Sequence, residues 1–307
     1  MSRLTPGVSV VIPTFNRSIL LCQVLPSYLT SPSVAEVIVV DDAGTDDTEG
    51  RIAALARDEP RLRYLRNEHN LGAPATRNRG ALASCGAWIL EAEDDLALGE
   101  GCIETLLAHA HATGADIIAG RRVWVRLGED EEQALERANL NRRPLFNEWL
   151  MDFNSHAITE RDLESPLLDA TMLIRREVFD HVRYHEPFGG QSTWREESDF
   201  QLKALACNYR LVFCPHAVTY HYSRASQSFG KNRLKATAVY AYRVYRNNLM
   251  FLQRNQGYLR ANYPNSLLLG SAELSALMYG AYRTAWLLAA EVLRFWRARK
   301  YGAYSWK

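Results

Sequence analysis

Cysteine is scarce and unpatterned. The chain has five, Cys22, Cys85, Cys102, Cys207 and Cys214, an odd number with no Cys-x-x-Cys pair. Neither a disulfide framework nor a zinc ribbon is expected from this spacing, and a reducing compartment is. The start, MSRLTPG, has no apolar run, so no Sec-type leader is read there. The longest uncharged apolar stretch near the C-terminus lies between Glu273 and Arg283, short of the roughly 20 residues a membrane span needs. Glycine, at 18 residues, is too rare for a collagenous repeat. Four motifs are missing as well: Gly-x-Gly-x-x-Gly after the first strand, the Gly-Lys-Ser/Thr phosphate loop, the Gly-x-Ser-x-Gly elbow and His-Glu-x-x-His. Acidic residues nearly vanish after Ser226. Only Glu273 and Glu291 stand against 13 Lys and Arg, a net of +11, whereas the first 225 residues carry a net of −10. Such a basic tail meets something anionic, a membrane surface, a nucleic acid or phosphate groups, or docks on its own acidic body.

What is present suits a soluble globular chain. Apolar residues make up 47% of the 307, including 32 Trp, Tyr and Phe, enough for a large core. At roughly 150 residues per domain, the length predicts about two domains. The first half alternates strand and helix signals. Continuous β-branched runs at Val8–Ile12 and Val37–Val40 read as strands buried on both faces. Further strands are expected at Arg61–Leu65, Trp88–Leu90, Asp116–Val125, Thr171–Ile174 and Arg210–Phe213. Helices are expected after Pro13, over Thr48–Ala56, from Pro74 to about Gly86, around Ile103–Ala110 and from about Thr193. This order predicts an α/β, doubly wound, mostly parallel sheet. Glu129–Arg142 reads as an exposed charged helix or loop. After Ser226 the pattern is helical, with Leu274, Leu277, Met278, Ala281, Ala285, Leu288 and Val292 on one stripe.

Open α/β sheets bind ligands beyond the carboxyl ends of their strands. Three polar clusters fall there: Pro13-Thr14-Phe15-Asn16-Arg17, Asp41 to Asp47, and Glu93-Asp94-Asp95. Any one of them reads equally as a turn or helix cap. Together they place adjacent carboxylates that repel unless a cation offsets them, and oxygen ligands suit Mg²⁺ or Mn²⁺.

With these segments in view, the chain resembles inverting family 2 glycosyltransferases of the GT-A fold. The matching stretches are VSVVIPTFNR (8–17), VIVVDDAGTDD (37–47), NLGAPATRNRG (70–80), AEDD (92–95), EESDFQLKA (196–204) and CPHAVTYH (214–221). They span about two-thirds of the chain, and the first three are specific in combination. The resemblance implies a GT-A type doubly wound mixed sheet with a C-terminal helical extension. Residues 1–125 would form the nucleotide-sugar half and 126–225 the acceptor and catalytic half of one domain. The basic, aromatic-rich helices would occupy 226–307. The implied donor is a nucleotide-diphospho-sugar, the acceptor a sugar or lipid-linked hydroxyl, and the cofactor a divalent metal, Mn²⁺ or Mg²⁺. Pro13, Thr14, Asn16, Arg17 and Asp42 would meet the nucleotide, Asp42 accepting from a base N–H. Gly72, Arg77 and Asn78 would shape the loop beside it. Asp94 and Asp95 stand as the Asp-x-Asp equivalent, with Ala92 where many relatives carry Asp. Asp95 is preferred as the metal ligand, and His221 would join it or touch the diphosphate. Gly190, Trp194 and Glu196 would face the acceptor, Trp194 reading equally as core.

The catalytic base is sought among Glu196, Glu197 and Asp199. Thr193-x-x-Glu196 matches a capping box, which would turn Glu196 back onto the backbone. Asp199 stands four residues before Lys203, an ordinary surface pair. Glu197 remains, in a first turn whose dipole favours its ionised form, and the resemblance agrees. A sugar-nucleotidyltransferase, or a non-catalytic nucleotide- or membrane-binding module, is the alternative. The former would have a Gly-rich basic loop in place of PTFNRS. Arg294, Arg297, Arg299 and Lys300 interleave with Phe295, Trp296, Tyr301, Tyr304 and Trp306, so 283–307 suits an anionic membrane surface, or packs on its own domain or a second copy of the chain. The resemblance places the protein in the cytoplasm, free or peripheral on the inner face of the membrane, and gives nucleic acid no part.

Overall fold

The computed structural model describes residues 5–188, 195–222 and 233–301. The chain divides into two compact units, Met1–Gln227 and Ser228–Lys307. In the first unit the elements run β1 (Thr5–Thr14), α1 (Ser18–Leu29), β2 (Val34–Asp41), α2 (Thr48–Leu55), β3 (Leu62–Arg66), α3 (Ala73–Ala83), β4 (Gly86–Glu91), β5 (Leu96–Leu98) and α4 (Cys102–Thr113). There follow β6 (Ile117–Val125), α5 (Glu131–Ala138), β7 (Phe146–Asn147), β8 (Asp152–Phe153), β9 (Leu163–Glu164), β10 (Met172–Arg175), α6 (Val178–His181), α7 (Glu196–Ala206) and β11 (Leu211–Tyr222). The main sheet has the order β3-β2-β1-β4-β10-β6-β11-β5, with β9 also on β11. Neighbours β3 to β4 and the pair β6/β11 run parallel, while β10, β5 and β9 run antiparallel. The sheet is therefore mixed and doubly wound.

β-Branched runs form the central strands because both faces are covered. On β1, Val8, Val10 and Ile12 pack with Leu21, Val24, Leu25 and Tyr28 of α1, while Val11 points the other way, to Ile38, Val40, Ala81, Phe179 and Phe200. Each such buried side chain contributes roughly 1.5–3 kcal/mol. Helix α3 lies very close to the sheet. A Cβ at Gly80 would meet Val11 Cγ1 at 2.3 Å, so glycine is what lets α3 approach and set Arg77 under the strand ends.

Several expectations are corrected. β11 extends to Tyr222, well past Phe213, because the segment CPHAVTYH pairs with β6 again after an irregularity. The short strands β5, β7, β8 and β9 have too few residues to show a period. Gly86 opens β4 instead of closing a helix. Helix α7 starts at Glu196, capped by Arg195 at φ +80° with no side-chain cap hydrogen bond. Thr193, the other member of the expected capping box, lies outside the described residues. Asp199, expected on the surface, is fully buried in α7.

The second unit holds α8 (Arg233–Arg254), α9 (Gln256–Asn262) and α10 (Ala272–Tyr301). The face α10 buries is Ala272, Ser275, Ala276 and Tyr279, and Gly280 beside it comes close to Tyr245 of α8. The expected stripe lies outward instead: Leu274, Leu277 and Leu288 are 42%, 61% and 52% exposed. Among the described residues no helix is long and apolar enough to cross a membrane.

Candidate active site

The carboxyl ends of β1, β2 and β4 meet, as the sheet order requires. At the end of β2, Asp42 is buried, and Oδ1 accepts from Asn67 Nδ2 and Leu71 N, both at 2.8 Å, while Oδ2 accepts from Gly72 N at 2.8 Å. Its main-chain N–H donates to Thr14 O at 2.9 Å. Asp42 thus holds the Asn70–Gly72 turn at the start of α3 against β1 and keeps one acceptor site on Oδ2. Asn16, at φ +55°, accepts through Oδ1 from Thr45 N at 2.6 Å and fixes the Asp41–Asp47 loop over the end of β1. Pro13 pairs with Val40 on the adjoining strand.

The acidic run after β4 is held from three sides. Thr14 Oγ1 donates to Asp94 Oδ2 at 2.8 Å. The Arg17 guanidinium spans Asp94 Oδ1 at 2.5 Å and Asp95 Oδ2 at 2.9 Å. The buried Tyr28 hydroxyl lies 2.6 Å from Leu96 O and 3.0 Å from Glu93 O. Arg122 of β6 pairs with Glu93 and with Asp169, the latter at 2.6 Å. Burial pushes Asp94 up to about 6 despite Arg17. Burial also works against ionised Asp95 and Glu93, but it loses there: His221, Arg17 and Arg122 hold Asp95 below its ordinary value, and Arg122 with His221 does so for Glu93. Of the three carboxylates, Glu93 and Asp95 are therefore the better anions. His221, near the end of β11, faces them, its Nε2 3.4 Å from Asp95 Oδ1 and its ring 4.0 Å from the half-exposed Trp124 ring, centroid to centroid. Its Nδ1 is buried without a hydrogen-bond partner. Donor atoms of Glu93, Asp95 and His221 all lie within 4.8 Å of one another. Two carboxylate oxygens and an imidazole fit a divalent cation such as Mn²⁺.

Arg77 of α3, expected beside the nucleotide loop, lies against Glu91 of β4. It is buried, with Nη1 3.2 Å from Glu91 Oε2 and Nη2 3.6 Å from Glu197 Oε1. Its guanidinium carbon stands 5.8 Å from the Tyr184 ring. Asn78, one residue on, exchanges two 2.9 Å hydrogen bonds with the Tyr184 backbone. Glu197 is the second residue of α7, so the helix dipole favours its anion. Burial raises its pKa, and Arg77 opposes that rise. Glu197 is thus a carboxylate of raised basicity kept ionisable chiefly by buried Arg77, with Arg122 acting in the same sense. Arg77→Gln should leave Glu91 and Glu197 uncompensated, lowering stability by roughly 3–5 kcal/mol in chemical denaturation. Arg77 lowers the Glu197 pKa, so its loss raises it, and the acid limb of the pH–rate profile should move to higher pH. An unmoved limb would separate Arg77 from the base.

Glu196 is buried beside Glu197 at the start of α7, and Arg195 anchors that start to Met151 O and, at 2.7 Å, Leu150 O. Gly190 and Trp194 lie outside the described residues. Sequence reasoning missed Glu91, Arg122, Asp169, Tyr184 and Trp124. The Arg of Arg121-Arg122 inside an apolar strand was the available signal, since a buried guanidinium needs a carboxylate partner.

The strand order and the polar strand ends are those of a GT-A type glycosyltransferase fold. The likeness to solved structures agrees. S. aureus TarS 1–349 in complex with UDP-GlcNAc matches with a TM-score of 0.55 at 18% identity, covering 83% of this chain and 74% of that one. GalNAc-T7 with UDP, GalNAc and Mn²⁺ matches at 0.59 and 16%, covering 86% and 58%. The model of glycosyl transferase family 2 matches residues 9–183, more than half of the chain, and the protein belongs to that family. The GalNAc(5)-diNAcBac-PP-undecaprenol β-1,3-glucosyltransferase of Campylobacter jejuni is 32% identical over 108 residues, 34% of this chain and 35% of that protein. Glycosyltransferase GlyG of Streptococcus pneumoniae is 27% identical over 191 residues, 58% and 59% of the two chains. The matches thus span from about a third to three-fifths of these relatives.

Proposed function

We propose that this protein transfers a sugar, with inversion, from a nucleotide-diphospho-sugar to an acceptor hydroxyl in glycoconjugate synthesis, using a divalent cation. The observation that carries the reading is the convergence of Thr14, Arg17, the Glu93–Asp95 run and His221 at the strand ends of a family 2 domain. Neighbours of the same fold were crystallised with UDP-GlcNAc, or with UDP and Mn²⁺. Pro13, Thr14, Asn16, Arg17, Asp42 and Gly72 would cradle the nucleotide, with Asp94 orienting Arg17 and Thr14. Glu93, Asp95 and His221 would hold the cation, whose chemistry when bound is neutralising charge on a diphosphate. Glu197 would accept the acceptor hydroxyl's proton as the new C–O bond forms at the anomeric carbon and the bond to the diphosphate breaks. Arg77 keeps that carboxylate ionisable, and Glu196 with Trp124 would border the acceptor. A hydrolysis screen over UDP-, GDP- and dTDP-sugars with Mn²⁺ and Mg²⁺ tests the reading. Metal-stimulated release of one nucleoside diphosphate is expected, and no release from any donor with either ion would overturn it.

The relative from C. jejuni is named for an undecaprenol-linked glycan, and the same kind of lipid-linked acceptor is proposed here. The outward stripe of α10, Leu274, Leu277 and Leu288, lies in the segment of net +11. An apolar face among cations suits the surface of an anionic bilayer. Vesicles containing anionic lipid should pellet the protein at low salt. Leu277→Glu with Leu288→Glu should weaken that binding at least about tenfold, given the apolar area lost. No pelleting of the wild type would end the membrane reading.

A further inference from the structure

A second cluster of metal-ligating side chains lies in the first unit, away from the strand ends just described. His109 on α4, Asp162 just before β9 and Cys214 on β11 present ligand atoms that all lie within 4.8 Å of one another. Cys214 and His221 sit on the same strand seven residues apart, roughly 20 Å at about 3.3 Å per residue, so the two clusters occupy different stretches of β11.

The local backbone is irregular. β11 pairs with β6 through Phe213↔Ala119 and resumes at Val218↔Arg121, leaving Cys214–Ala217 opposite Gly120 alone. A Cβ at Gly120 would meet Ala217 O at 2.3 Å, so only glycine admits the bulged backbone. Bulges re-aim side chains, and this one sets the Cys214 sulfur beside His109 and Asp162. Asp162 Oδ2 is 2.6 Å from His109 Nδ1, Asp162 Oδ1 is buried, and the Cys214 thiol lies within hydrogen-bonding reach of the same carboxylate. A carboxylate, a thiol and an imidazole packed this closely in a largely buried place are a donor set that one cation can bridge. The ring of exposed His216, 5.3 Å from that of His109 by centroids, stands at the rim.

We propose that His109, Asp162 and Cys214 bind a thiolate-preferring divalent ion, Zn²⁺ by its chemistry, with His216 or a water as fourth ligand. One sulfur, one or two imidazoles and one carboxylate are a zinc-type donor set, whereas the thiol-free Glu93–Asp95–His221 set favours a harder ion. With Cys214 and Asp162 both anionic, the ion's two charges are balanced. Binding through the Cys214 thiolate releases the thiol proton to solvent. Ligands at roughly 2.0–2.3 Å from one ion sit wider apart than a hydrogen-bonded pair, so the His109–Asp162 contact opens as the ion enters. The ion would then tie α4, the segment before β9 and the bulge of β11 together, independently of the sugar-transfer reading.

Cobalt(II) titrated into the chelator-treated full chain tests this. Wild type should bind one equivalent that carries a thiolate-to-cobalt charge-transfer band in the near ultraviolet, distinct from any cobalt taken up at the thiol-free strand-end set, and competing Zn²⁺ should abolish the band. Cys214→Ser should lack the band, and His109→Gln should keep it with affinity lowered at least about tenfold, since even outer-sphere partners are worth that much. No charge-transfer band in folded wild type, or a band that persists in Cys214→Ser, overturns the proposal. Should Cys214→Ser fail to fold by circular dichroism, the double variant Asp162→Asn with His109→Gln decides. Loss of binding then upholds the site, and unchanged cobalt affinity refutes it.

Discussion

Glu197→Gln should cut sugar transfer by roughly 10²–10⁴-fold, the span usual for loss of a general base. The amide keeps the shape and hydrogen-bonding reach of the side chain but cannot take the acceptor proton. Donor binding should change little, because Glu197 pairs with Arg77 and makes none of the Thr14–Asp94–Arg17 contacts. The neutral side chain also removes one partner of a buried cation, yet Glu91 remains on Arg77 at 3.2 Å, so the fold should hold. The measurement is transfer rate and donor affinity in the same preparation. Transfer within about tenfold of wild type in a folded variant falls below the range for a lost base and would assign the role elsewhere.

Asp95→Asn should have an effect of similar size by a different route. Asp95 is the carboxylate that His221, Arg17 and Arg122 keep ionised, and with Glu93 and His221 it would hold the cation. Losing a term of several kcal/mol means on the order of a thousandfold in rate. The loss should appear as vanished metal stimulation, with the small metal-independent rate unchanged. Arg17 keeps Asp94 as a partner in the variant, so folding is not at stake. Metal-stimulated turnover close to wild type would remove Asp95 from the site.

Much of the frame was legible because it rests on local rules. Buried β-branched runs announced β1 and β2, and their polar carboxyl ends announced where a ligand would sit. The environment of single side chains was not legible. Arg77 reads as one more polar residue on a helix until Gly80 lets α3 press onto β1 and drives the guanidinium under Glu91. The base was sought by elimination through a capping box, yet the helix begins three residues after Thr193 with Arg195 as its cap. Thr193 lies outside the described residues, so Glu197 stands on its pairing with Arg77. Which face α10 buries was not legible either: Leu274, Leu277 and Leu288 of the stripe stay exposed, while Ala272, Ser275, Ala276 and the large Tyr279 are buried. His109, Asp162 and Cys214 are brought together by three elements far apart in the chain, which no spacing rule could reveal.

The central claim is that the strand ends form a cation-assisted nucleoside-diphosphate site. Calorimetric titration of UDP, GDP and dTDP, each with Mn²⁺ and with chelator, tests it most directly. One of the three should bind with Mn²⁺ and weaken markedly with chelator, and Asp95→Asn should bind it equally weakly under both conditions. Absence of binding by all three with Mn²⁺, or binding that neither chelator nor Asp95→Asn alters, would contradict it.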